Sequence, residues 1–169
     1  VSLVCIPIFF ITFSFIGLLT VVSKRIKTTV KSKYIGSRII QYFDFDYNKK
    51  DIRFVHVHLP PGNTLINKEK RLADIKEIVN FCKKKKNVII AGDFNDTSSS
   101  KMYKYMIKNN YKSSVMEALG KEIKTFPSKN PIKCIDYIMI KGDISVTSAI
   151  IFGNEKASDH KGIKVELDI

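Results

Sequence analysis

"VIIAGDFND", residues 88–96, is an apolar run that stops abruptly in Gly-Asp-Phe-Asn-Asp. Val88 to Ala91 offers β-branched side chains without a polar interruption, the pattern of a strand buried in a sheet. A strand that only fills a core has no use for Asp93, Asn95 and Asp96 at its end. Polar groups placed where a strand opens into a loop can converge with groups from other strand ends. The stretch predicts a sheet protein with its chemistry at the strand ends, and directs attention to partners for these residues.

Other strand ends carry such groups. "IRFVHVHL" (52–59) alternates as a strand and closes near His58, with Pro60-Pro61-Gly62 stopping it. "CIDYIMI" (134–140) is a buried strand interrupted by Asp136, and Asp159-His160 stand just before a last strand, "IKVELDI" (163–169). Further strands are expected at 37–42 and 145–151, with a turn at "YNKKD" (47–51) between 37–42 and 52–59. Helices are expected over Lys68–Lys84, with Leu72, Ile75, Ile78, Val79 and Cys82 on one face, and over 100–109 behind the N-capping serines 98–100. Too few helices are available as crossovers for a purely parallel sheet. Many strands with two helices predict an α/β sandwich.

Taken singly, each polar residue has a plain explanation: an Asp caps a turn, a His fills a half-buried strand position. Together they suit phosphoester chemistry. Asp and Asn oxygens suit Mg²⁺, an Asp–His pair can orient or activate water, and a second His or an amide can donate to a phosphorane.

Net charge is +13, from 29 Lys and Arg against 16 Asp and Glu, which favours polyanionic partners. The 44% hydrophobic and 27% charged content is that of an ordinary globular domain and excludes a disordered chain. Cys5, Cys82 and Cys134 are far apart with no CxxC, which argues against a zinc site and a disulfide scaffold. Residues 1–22 contain no charge and are followed by Ser23-Lys24-Arg25. The length matches a transmembrane helix. The wealth of β-branched residues and Phe, with Pro7 and Gly17, matches two buried strands broken near 13–17. Starting on Val rather than Met, the chain reads as a fragment or a processed product.

The ordered set His-Leu (58–59), Gly-Asp-Phe-Asn (92–95), Ile-Asp-Tyr-Ile (135–138) and Ser-Asp-His (158–160) resembles the endonuclease/exonuclease/phosphatase family. That family includes deoxyribonucleases, abasic-site endonucleases, sphingomyelinases and inositol-polyphosphate phosphatases. "TFPSKNPIKCIDYIMI" (125–140) and "IGLLTVVSK" (16–24) extend the likeness, the latter as the family's middle strand. The resemblance implies a four-layered α/β sandwich of the deoxyribonuclease-like type, with 1–169 as one domain incomplete at its amino terminus. It implies metal-dependent hydrolysis of a phosphodiester or phosphomonoester, with Mg²⁺, or Mn²⁺ in its place. On the matching positions, His58 and Asn95 contact the scissile phosphate and Asn95 supports the transition state. Asp93 orients or activates the attacking water, Asp136 fixes the tautomer of His160, and His160 is the catalytic histidine. Asp159, with Asp93 and Asn95, is implied as a metal ligand.

The chain departs from the family pattern in four places. The amino-terminal half, with the family's main metal-binding Glu, has no counterpart before His58. Cys134 replaces an Arg, Lys161-Gly162 replaces a residue-plus-Pro, and His56 is an extra histidine on the strand face of His58. The charge fits DNA, RNA, inositol phosphates and anionic lipid head groups alike. Nucleic acid is the first expectation, acted on by a monomer in the cytoplasm. The alternatives are an inactive polyanion-binding remnant and a protein anchored in a membrane through residues 1–22.

Overall fold

The computed structural model describes residues 2–5 and 26–169. The strands are β1 (Ser2–Cys5), β2 (Lys31–Ile35), β3 (Arg38–Tyr47), β4 (Lys50–His58), β5 (Asn87–Asp93), β6 (Lys112–Ser113), β7 (Asp136–Lys141), β8 (Ser145–Phe152) and β9 (Gly162–Asp168). The helices are α1 (Leu65–Cys82), α2 (Lys101–Lys108) and α3 (Ser114–Leu119). They form a six-stranded mixed sheet, order β2-β3-β4-β5-β7-β6, and a three-stranded sheet, order β1-β9-β8.

The β3–β4 hairpin turns on Asn48 and Lys49, both with positive φ (49° and 63°), the two-residue geometry that matches strand twist. Cross-strand Asp44 and Arg53 lock it through two hydrogen bonds of 2.7 and 2.8 Å. β4 and β5 run parallel, so α1 is their crossover. Helix α1 starts at Leu65, ahead of the expected Lys68, because Thr64 caps it by accepting from the Asn67 N–H. The lysine run 83–86 follows the helix, and its cations meet strand and turn carboxylates: Lys85 reaches Asp44 at 3.1 Å and Lys86 reaches Asp143 at 2.6 Å.

Every residue of β5 is buried. Val88 and Ile90 pack with Ile75, Ile78 and Val79 of α1 and Met102 and Met106 of α2. Ile89 and Ala91 face the other way, onto Ile163, Val165 and Leu167 of β9. The described residues thus supply three layers: helices, large sheet, small sheet. A mixed α/β architecture is as expected. The fourth layer expected of the sandwich is not among the described residues.

Several elements differ from expectation. β5 runs two residues further, so Asp93 lies inside the ladder. β7 opens at Asp136, so that carboxylate begins the strand and does not interrupt it. Cys134 and Ile135 precede the strand, and Lys133 before them forms an isolated bridge to Phe126. β2, β6 and α3 were not expected. Within residues 1–22, Ser2–Cys5 is a strand paired with β9. The remaining expectations there, including 16–24 as a middle strand, fall outside the described residues. Among the described residues, no helix is long and apolar enough to cross a membrane.

Candidate active site

The ladder brings three of the expected residues into one row. His58 pairs with Asp93 across β4–β5, and Asp93 pairs with Asp136 across β5–β7. Directly opposed residues share a sheet face. On β5 that face reads Ile89, Ala91, Asp93, so the row is the polar continuation of the apolar inter-sheet core. Gly92 makes the row close. Its φ is +143°, and a Cβ there would overlap the Val57 carbonyl oxygen, so β5 can lie against β4 only with glycine at this position.

His160 reaches the row from the loop before β9. Its Nδ1 lies 2.9 Å from Asp136 Oδ2, and its Nε2 lies 3.9 Å from Asp93 Oδ2. The loop is stapled to residues 125–128: Ser128 N–H donates to Asp159 O (2.7 Å), Ser128 Oγ–H to Ser158 O (2.6 Å) and Lys161 N–H to Thr125 O (2.8 Å). Phe126 packs on the imidazole of His160, centroids 4.7 Å apart. Asn95 adopts a left-handed conformation, φ +53°. Its N–H donates to Asp93 Oδ1 (2.7 Å), and its side-chain amide donates to Asp93 Oδ2 (3.1 Å) and Leu59 O (3.0 Å).

The electrostatics separate the titratable groups. Burial, then the negative charge of Asp136, push the Asp93 carboxyl up to about 7, against the pull of His160 and the Asn95 N–H. Burial, with the positive charges of Arg38 and His160, holds His58 down at about 4. The 3.6 Å approach of His58 Nε2 to Asp93 Oδ2 is therefore not an ion pair at neutral pH. His160 goes the other way: burial opposes its charge, but the hydrogen bond and charge of Asp136, with Asp93 and Asp159, raise its pKa overall.

These residues floor a cavity of about 860 Å³. His58, Asp93, Asn95 and His160 line it, and Lys68, Lys101 and Lys133 stand around it. Lys101 also approaches Glu69, at 3.6 Å. Asp159 is exposed, and its charge acts on both Asp93 and His160. His56 shares the face of His58, as strand alternation requires, but it sits one row deeper, opposite Ala91, and is buried below the cavity.

Asp93, Asp136 and His160 place ligand atoms within 4.8 Å of one another. Asp136 Oδ1 is buried without a hydrogen-bond partner. Two buried carboxylates with an unsatisfied oxygen fit a hard divalent cation, which would relieve their repulsion. Thr125, Phe126 and Ser128, which fix His160, lie in the 125–140 stretch that carried part of the resemblance but were given no role there; Arg71, which binds Asp96, was passed over. For Asp96 the signal was present in the second aspartate of GDFND, but nothing local pointed to a partner 25 residues away.

A model of the Endonuclease/Exonuclease/phosphatase family matches residues 10–160. No curated protein sequence matches the chain. Among solved structures it is similar to an endonuclease/exonuclease/phosphatase from Bacteroides vulgatus, with 24% identity, 78% of this chain and 56% of that one covered, and a TM-score of 0.64. It is similar to a mannosyl-6-phosphatase from Bacteroides thetaiotaomicron, with 19% identity, 78% and 57% covered, and a TM-score of 0.58. It is also similar to a humanized D. rerio TDP2, with 13% identity, 85% and 68% covered, and a TM-score of 0.64. The chain thus spans little more than half the length of the two bacterial proteins. At these identities the likeness is one of fold. The family match runs over most of the sequence: the chain belongs to the endonuclease/exonuclease/phosphatase family.

Proposed function

We propose that the whole protein hydrolyses phosphoesters in this cleft. The observation that carries the reading is the His58–Asp93–Asp136 row with His160 laid across it, at the floor of a cavity edged by lysines. Asp93, poised near neutrality, takes or orients the proton of the attacking water, as suits a base whose pKa lies near working pH. Asp136 accepts from Nδ1 of His160, which fixes the tautomer and leaves Nε2 toward Asp93 and the phosphoryl oxygens. His160, whose protonation burial opposes and Asp136, Asp93 and Asp159 favour overall, donates from Nε2 to the phosphorane. His58, neutral, orients the phosphate, and Asn95, whose amide donates to Asp93 Oδ2 and Leu59 O, acts on it by rotating its amide once substrate is bound. Asp93, with Asp136 Oδ1 buried and unpartnered, would hold Mg²⁺ or Mn²⁺; Asn95 and the exposed Asp159 are the further oxygen ligands we propose, and such an ion would neutralise the phosphate and the leaving oxygen.

A cavity of about 860 Å³ exceeds what one phosphate needs, and its three lysines suit a substrate with several anionic groups. With a net charge of +13, nucleic acid is the substrate class we favour. The test is turnover of bis(p-nitrophenyl) phosphate and single-stranded DNA by the natural full-length protein, with Mg²⁺ and with EDTA. We expect EDTA to stop cleavage, and Asp93→Ala or His160→Ala to cost about 100-fold or more in kcat while the protein stays folded. Salt-sensitive DNA binding without metal-dependent cleavage of either substrate would overturn the reading in favour of a polyanion-binding remnant.

A further inference from the structure

Arg71, in the second turn of α1, is 0% exposed. Its Nε donates to Asp96 Oδ2 at 3.0 Å, and its Nη1 donates to the carbonyls of Pro60 and Gly62, both at 2.8 Å. One guanidinium therefore ties three segments: the helix, the turn after β4 and the loop after β5. Both tied segments leave a candidate catalytic residue. His58 stands just before the turn, and Asp93 and Asn95 just before Asp96.

Between them lies Leu59, whose N–H donates to Asp93 O (2.9 Å) and whose carbonyl accepts from the Asn95 amide (3.0 Å). Pro61, Gly62, Asp96 and Thr97 then form the cavity wall. Asn95 takes a left-handed backbone, which asparagine tolerates, and its amide is held in that geometry by Leu59 O and Asp93 Oδ2. The Arg71 clamp is attached one residue further on.

A buried guanidinium is a poor device for stability, since an apolar side chain of like volume commonly serves as well. Nη2 is buried without a hydrogen-bond partner, so the site does not even satisfy all its donors. What the group does supply is a planar fork that fixes separate acceptors at set distances.

We propose that Arg71 is a positioning residue for the hydrolysis proposed above, on which this inference rests. Through Asp96 and the Pro60 and Gly62 carbonyls it sets the separation of His58 from Asp93 and Asn95. Arg71→Lys keeps the charge beside Asp96 but cannot hold three acceptors in one plane. Asp96→Asn keeps the shape and removes the charge.

The experiment compares the natural full-length protein with Arg71→Lys, Asp96→Asn and the double variant. It measures unfolding temperature, Mg²⁺-dependent kcat and KM on bis(p-nitrophenyl) phosphate, and amide hydrogen exchange. We expect folded variants whose kcat falls by roughly tenfold or more, with KM changed less than about threefold. The double variant should be no worse than the poorer single one, because the pair acts as a unit. The Leu59 and Asn95 amides should exchange at least about tenfold faster, with Ile138 in the β7 ladder unchanged. Unaltered kcat and exchange in folded Arg71→Lys overturns the proposal. So does a change in KM alone, or equal acceleration at Leu59, Asn95 and Ile138, which would mark Arg71 as merely structural. Should Arg71→Lys not fold, Asp96→Asn decides by the same criteria. If the unaltered protein shows no turnover, the proposed hydrolysis fails by itself, and the exchange pattern decides the placement of Arg71.

Discussion

Asp93 is held between two opposing influences: burial and Asp136 keep its proton on, while His160 and the Asn95 N–H draw it off. Its carboxyl, pushed up to about 7, retains protons well above the ordinary carboxylate range, and a cation bound beside it must displace them. Mg²⁺ binding should therefore release protons near pH 6.5 and tighten as pH rises through about 7. Calorimetry in two buffers of different ionisation enthalpy measures the release, and a pH-independent affinity would remove Asp93 from the ligand set. His56 illustrates the reverse sign. Burial, then the nearby His58, depress it from 6.5 to about 4, so on acidification the unfolded chain takes up the proton first. Stability is lost as pH falls from 6.5 towards 4; His58 adds to the loss, and Asp93, whose folded state binds the proton more tightly, offsets part of it. In His56→Gln the loss over that window should shrink, by up to roughly 3 kcal/mol. Urea midpoints at pH 4, 5 and 6.5 would show it, and an unchanged slope would mean that His56 does not titrate as its burial requires.

Among the elements, β5 was the most legible, because a strand covered on both faces has no choice but an unbroken apolar run. β2 was not legible. Its "KSKYI" is exposed at four of five positions and, among the described residues, pairs only with β3, which leaves no periodicity to read. α3 was missed because six residues carry too little pattern; Ser113 caps it and its packing on β7 and β8 sustains it. The site followed the same rule. Residues that end strands announced themselves by being polar beside an apolar run. Those that fix His160 did not, because Ser128 and its acceptor Ser158 are 30 positions apart. The element-scale prediction concerns Gly92. Gly92→Ala forces a Cβ into the Val57 carbonyl at a positive φ, and must separate β4 from β5. It should cost roughly 2–5 kcal/mol in urea denaturation and weaken His58–Asp93 registry along with it. A loss under about 1 kcal/mol would show that the close approach is not needed.

For the molecule as a whole, charge is the property most plainly legible and least specific. The +13 excess is spread widely, and the part that bears on the cleft is Lys68, Lys101 and Lys133. Replacing these three by Gln should lower the salt slope of single-stranded DNA binding by about 2, from about 0.7 per lost phosphate contact. Lys101 should contribute least, since it shares Glu69. An unchanged slope, read from fluorescence titrations between low and moderate salt, would place DNA on another face. Helices above a mixed sheet were legible in outline; the partition of strands between two sheets was not, because it depends on which faces meet and not on which residues alternate.

The row that forms the floor of the cleft is assembled from distant parts of the chain, and it divides cleanly. His58, Asp93 and Asn95 lie before the largely exposed stretch 121–124, and Asp136 and His160 lie after it. A chain severed there would hold part of its chemistry in each fragment, and the β5–β7 ladder is the seam along which the two would have to pair again. If the proposed hydrolysis holds, turnover by such a split protein would report reassociation of its fragments.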